Sequence, residues 1–82
     1  MTMASFLLHH RHEPEKCGVA FAAFKGDESP LRHTTTFASC ASGGHEIWWV
    51  VEAHSGAAAL AMLPHYVAER CDVVLVRETR IP

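Results

Sequence analysis

His45-Glu46-Ile47-Trp48-Trp49-Val50-Val51-Glu52-Ala53 is the stretch on which the fold turns. Aromatic and β-branched side chains crowd it, and these suit the half-buried, pleated surface of a strand. Alternation along a strand sends Ile47, Trp49 and Val51 to one face and Glu46, Trp48, Val50 and Glu52 to the other. The first set suits a face covered by helices. The second, a tryptophan between carboxylates, suits an open face. Upstream, Ser42-Gly43-Gly44 has the composition of a hairpin turn, and Thr34-Thr35-Thr36-Phe37 has strand propensity that extends to Cys40.

Further out, Ser5 to His10 forms a short apolar run around Phe6, Leu7 and Leu8 and reads as a first strand. Its parity groups Phe6, Leu8 and His10 on one face, and Leu7, His9 and Arg11 on the other. Glu13-Pro14-Glu15 has the proline and acidic groups of a helix start. Cys17, Ala20, Phe21 and Phe24 follow at the spacing of one helical face, and Gly26 ends it. Downstream, Ser55 is placed to cap a second helix from Gly56, with Leu60, Leu63 and Val67 along one side. Pro64 must kink or break that helix within a residue or two of Leu63. Asp72 to Arg80 is a last strand. The order is strand, helix, strand, strand, helix, strand: an α+β, ferredoxin-like βαββαβ arrangement, a four-stranded antiparallel sheet with two helices on one face, occupying residues 1–82 as a single domain.

This layout resembles the dimeric α+β barrel superfamily, small ferredoxin-like proteins whose open sheet faces pack together in a homodimer. The likeness spans nearly the whole chain but rests on element order and size. It implies a homodimer. It leaves the activity open, because the superfamily includes monooxygenases, isomerases, dehydratases and stand-alone metal-binding proteins.

The 82 residues suffice for one core and no second domain. At 49% hydrophobic and 20% charged residues the chain is expected to fold. Seven Lys+Arg against nine Asp+Glu provide no basic excess for nucleic acid. No apolar stretch approaches the roughly 20 residues that cross a bilayer, and Met1 to Leu8 has no basic export signature, so a cytoplasmic location without membrane or nucleic-acid partners is expected. Three widely spaced cysteines, Cys17, Cys40 and Cys71, do not make a disulfide framework.

The unusual feature is seven histidines, as many as Lys and Arg together. In the expected topology His9, His10, His12, Cys17, Cys40, His45 and Cys71 gather at one end of the sheet, whereas His33 and His54 lie at the other. Mixed imidazole and thiol donors favour borderline transition ions. The candidate metal ligands are therefore His10, His12, Cys17, Cys40 and His45, taking zinc, nickel or copper. A second reading is a dimeric α+β barrel enzyme or small-ligand carrier, with a cleft beside Trp48 and polar groups from His9, Arg11, Glu46 and Glu52. No nucleophile elbow, phosphate loop or dinucleotide fingerprint is present, and whether the chain is an enzyme is left open.

Overall fold

The computed structural model describes residues 3–82; Met1 and Thr2, the first residues of the stretch inspected for an export signal, lie outside it. Four strands, β1 (Ala4–Arg11), β2 (Phe37–Ala38), β3 (Glu46–Ala53) and β4 (Cys71–Val76), form one antiparallel sheet in the order β2-β3-β1-β4. Three short helices accompany them: α1 (Cys17–Ala22), α2 (Gly56–Leu60) and α3 (His65–Ala68). Single 3-10 turns cover Pro14–Lys16 and Cys40–Ser42. The fold is thus α+β, a four-stranded antiparallel sheet with helices.

β1 is the centre of the molecule. It pairs with β3 from Ala4↔Ala53 to Arg11↔Glu46, and with β4 from Ser5↔Val76 to His10↔Cys71. This register puts Phe6, Leu8 and His10 in line with Val51, Trp49 and Ile47, and all six are buried. Ala20, Ala59, Leu63 and Val67 close over them from the helical side. The opposite face carries Leu7, His9, Trp48, Val50 and Val74, as the alternation requires.

The second helical segment divides as its proline demands. The Ser55 side chain accepts the Ala58 N–H at 3.0 Å, capping α2. α2 ends at Leu60 and α3 begins at His65, directly after Pro64, which cannot donate a backbone hydrogen bond.

Three elements are shorter than the sequence pattern suggests. β2 is two residues long, although strand propensity runs from Thr34 to Cys40. Here the hydroxyls compete with a strand ladder: Thr34 Oγ1 donates to the Leu31 carbonyl at 2.6 Å, and Thr36 Oγ1 donates to the Trp48 carbonyl. Cys40 itself lies in a 3-10 turn. α1 keeps six α-helical residues after its 3-10 entry, and only Ala20 of the expected stripe is fully buried. Phe24 packs on Trp49 with ring centroids 6.1 Å apart, whereas Phe21 is half exposed. β4 stops at Val76, short of Arg80. No helix among the described residues is long and apolar enough to cross a membrane.

Candidate metal centre

Four side chains meet at the end of the sheet where β1 finishes. His12 follows β1, Cys17 opens α1, Cys40 begins the 3-10 turn after β2, and His45 precedes β3. Their donor atoms all lie within 4.8 Å of one another, and all four residues are half-buried. His12 Nε2 is 3.1 Å from Cys17 Sγ and 3.3 Å from Cys40 Sγ, and His45 Nδ1 is 3.0 Å from Cys17 Sγ. The thiols are free, with no disulfide among the described residues. Zn–S bonds of about 2.3 Å and Zn–N bonds of about 2.0–2.1 Å place sulfur and nitrogen roughly 3.6 Å apart in a tetrahedron. The observed approaches are therefore within about 0.6 Å of that arrangement, the difference between hydrogen-bonded donors and donors spread around an ion.

The backbone sets this geometry. The Ser39 N–H donates to the Glu46 carbonyl and the Gly44 N–H donates to the Ser39 carbonyl, each at 2.8 Å, so the Cys40–His45 loop closes on itself. Gly43 takes φ 83°, and a Cβ on Gly44 would lie 2.6 Å from Ser39 Cβ. Both glycines are required by the turn. His45 is left-handed as well, at φ 58°, a conformation that costs a residue with a Cβ about 1–2 kcal/mol. Its carbonyl accepts the His12 N–H at 3.2 Å, so the main chain ties the two candidate imidazole ligands together.

Burial pushes the His12 imidazole below its ordinary pKa, with the His45 charge adding to the effect. Burial pushes the Cys40 thiol up, assisted by its hydrogen bond to Cys17. The first favours a neutral imidazole with a lone pair to give. The second means that ligation by Cys40 must expel a proton, which couples uptake to pH.

Of the five residues expected to ligate, His12, Cys17, Cys40 and His45 converge, and His10 stands behind them. It lies on the inward face of β1, is fully buried, and hydrogen-bonds through Nδ1 to the Val67 carbonyl at 3.1 Å. Desolvation lowers its pKa, partly countered by the Val67 hydrogen bond. The parity that groups His10 with Phe6 and Leu8 is the sequence signal for this core position. The part played by the Val67 carbonyl has no signature in the sequence, and the Gly43-Gly44 pair is the only hint of the left-handed backbone at His45.

The polar groups expected beside Trp48 are differently disposed. His9 Nε2 donates to Glu46 Oε1 at 2.6 Å, and the His9 ring stacks on Trp48 with centroids 5.1 Å apart. Arg11 reaches Glu46 at 3.6 Å and Asp72 at 3.4 Å. Glu52 lies six residues along β3 from Glu46, about 20 Å away, so the two carboxylates do not share one cluster. A 340 Å³ cavity does adjoin Trp48, but Leu7, Thr35, Thr36, Phe37, Trp49 and Val50 complete its lining, without His9, Arg11, Glu46 or Glu52.

Comparison of the chain with protein-family models, curated proteins and solved structures found no match.

Proposed function

We propose that the protein is a small metal-binding module that holds one divalent transition ion through His12 Nε2, Cys17 Sγ, Cys40 Sγ and His45 Nδ1. The observation that carries this reading is the gathering of two imidazoles and two thiols within 4.8 Å. Two sulfur and two nitrogen donors favour zinc over nickel and copper, which lean to tetragonal sites. Four protein ligands complete a tetrahedron, the pattern of structural zinc rather than of a catalytic ion with an open position. The ion would then fasten the β1–α1 connection to the β2–β3 connection, two segments otherwise joined by the His12 N–H to His45 carbonyl bond and by the Cys17–His45 and His12–Cys40 side-chain contacts. A reducing compartment such as the cytoplasm keeps Cys17 and Cys40 competent to ligate.

The test is metal analysis of untagged protein, followed by cobalt(II) titration. Stoichiometric zinc, and a cobalt complex with thiolate charge-transfer bands and tetrahedral d–d absorption, are expected. Absence of stoichiometric metal, or an octahedral cobalt spectrum, overturns the reading.

The same proposal extends to architecture. The sheet order β2-β3-β1-β4, read from the other edge as 4-1-3-2, together with antiparallel pairing throughout, supports a ferredoxin-like βαββαβ domain with the second helix split at Pro64. It also favours membership of the dimeric α+β barrel group. On the open sheet face Phe37 is 83% exposed and Val50 67%, beside Leu7, Trp48 and Val74. A face this apolar is best covered by a second copy of the chain, giving a twofold homodimer. Light scattering at micromolar concentration is expected to return twice the chain mass, and Val50→Lys to return the monomer.

The cavity beside Trp48 favours a second reading, a carrier of a small apolar ligand. Quenching or a blue shift of Trp48 emission on adding such ligands, in protein that takes up no metal, would support it over the first.

A further inference from the structure

Among the described residues, two buried side-chain nitrogens have no hydrogen-bond partner: His10 Nε2 and His12 Nδ1. Each alone is costly, because an unpaired polar atom in the interior forfeits its hydration. They belong to neighbouring rings whose centroids are 5.1 Å apart with planes inclined at 39°. The two nitrogens are not hydrogen-bonded to each other in this structure, but rings at this separation need only a small reorientation to bring ring nitrogens to an N–H···N distance of about 2.9 Å.

The tautomers can be deduced from the contacts. The Val67 carbonyl only accepts, so His10 Nδ1, 3.1 Å away, carries a hydrogen, and in the neutral ring Nε2 is left with a lone pair. His12 turns Nε2 towards Cys17 and Cys40. If that nitrogen gives its lone pair to an ion, the hydrogen of neutral His12 resides on Nδ1, the buried atom on the far side. One orphan is then a donor and the other an acceptor.

Resting on the metal reading above, we infer that His10 is the positioning residue of the metal centre: once an ion draws on His12 Nε2, the His12 ring turns so that its Nδ1–H donates to His10 Nε2, while His10 Nδ1–H donates to the Val67 carbonyl as it already does. The chain runs from α3 through the core strand to the ion. It fixes the His12 tautomer, holds its ring in the ligating orientation and raises the basicity of the ligating nitrogen, as partners behind metal-bound histidines do. It also explains why an imidazole rather than a leucine occupies a fully buried position between Leu8 and the end of β1. His10 touches no ion in this arrangement and acts through His12.

The experiment is nitrogen-15 NMR of the imidazoles in zinc-loaded protein, with zinc affinity measured by chelator competition for wild type, His10→Phe and His10→Gln. His12 should show a protonated Nδ1 with a slowly exchanging, downfield proton. His10 should show a protonated Nδ1 and an accepting Nε2, with scalar coupling across the His12 Nδ1–His10 Nε2 hydrogen bond. His10→Phe keeps the ring volume but removes the acceptor, and should weaken zinc binding about 10- to 100-fold. His10→Gln, which keeps an acceptor near the place of Nε2, should stay within a few-fold of wild type. A protonated His10 Nε2, zinc bound directly to His10, or equal losses in the two variants would each overturn the inference while leaving the metal centre standing. If His10→Phe fails to fold, the NMR of wild type decides alone. Failure of the wild-type protein to take up zinc stoichiometrically overturns the metal reading and, with it, this inference.

Discussion

His45→Gly is predicted to have opposite meanings with and without zinc. At φ 58° the native residue carries about 1–2 kcal/mol of backbone strain, which glycine removes. Against that, the variant loses the His45–Cys17 hydrogen bond, worth about 1 kcal/mol, and frees the unfolded chain by roughly 0.4–1 kcal/mol. In a chelator these terms nearly cancel, so the metal-free variant should lie within about 1 kcal/mol of wild type. With zinc at about a hundred times its dissociation constant, ligation adds about 2.7 kcal/mol to wild type. A variant that binds roughly a hundredfold more weakly retains about 0.4 kcal/mol of this, a loss of about 2.3 kcal/mol. For a domain of this size that loss lowers Tm by roughly 9–18 °C. Thermal unfolding followed by circular dichroism, in zinc and in chelator, measures both. An equal fall in the two conditions would refute the assignment, because His45 would then matter for packing alone. A similar zinc-dependent fall is expected of His12→Ala, and none of His33→Ala, which is remote from the cluster.

Gly44→Ala should destabilise the fold by about 1–3 kcal/mol and weaken metal uptake, because its Cβ would collide with the Ser39 side chain and displace the Cys40–His45 loop; urea titration and chelator competition measure the two effects. All three thiols should react rapidly with a disulfide reagent in unfolded protein, and fewer in folded, zinc-loaded protein as Cys17 and Cys40 become shielded. Burial raises the Cys71 thiol to about 11, so Cys71 should react slowly at neutral pH even in the folded, metal-free chain. The same shift has a sign for stability: the unfolded thiol ionises near 9.0 while the folded one stays protonated, so this contribution is lost as pH rises from 9.0 towards 11, and Cys71→Ala should flatten that part of the profile. Ser55→Ala, which removes the cap on Ala58, should cost about 1 kcal/mol in the same urea assay.

What the sequence disclosed follows from which interactions are local. Period-two alternation in 45–53 and 5–11 reflects a sheet with one covered face, and the structure has Ile47, Trp49 and Val51 inside with Val50 outside. Pro64 and Ser55 act within a few residues of themselves, and both behave as their chemistry requires. Thr34–Thr36 misled, because β propensity says nothing of hydroxyls that find carbonyls at Leu31 and Trp48. Phe21 has helical spacing, but a helix of six residues covers too little of the sheet to bury it. For the site, topology sufficed to bring His12, Cys17, Cys40 and His45 to one end. Assigning His10 a place behind them required the Val67 carbonyl, which depends on where α3 docks, 57 residues away along the chain.

The brevity of β2 has a consequence for handling the protein in solution. β2 covers only Ile47 and Trp48 of β3, so the outward main-chain groups of Val50 and Glu52 have no neighbouring strand among the described residues. Such a margin is a template on which another chain can add a strand. Glu52 supplies the one charge along residues 49–53, and repulsion between identical carboxylates opposes edge-to-edge pairing of two copies there. Glu52→Val would extend the Val50-Val51 pair into an unbroken β-branched run with no charge in it, an open invitation to edge-to-edge aggregation on concentration.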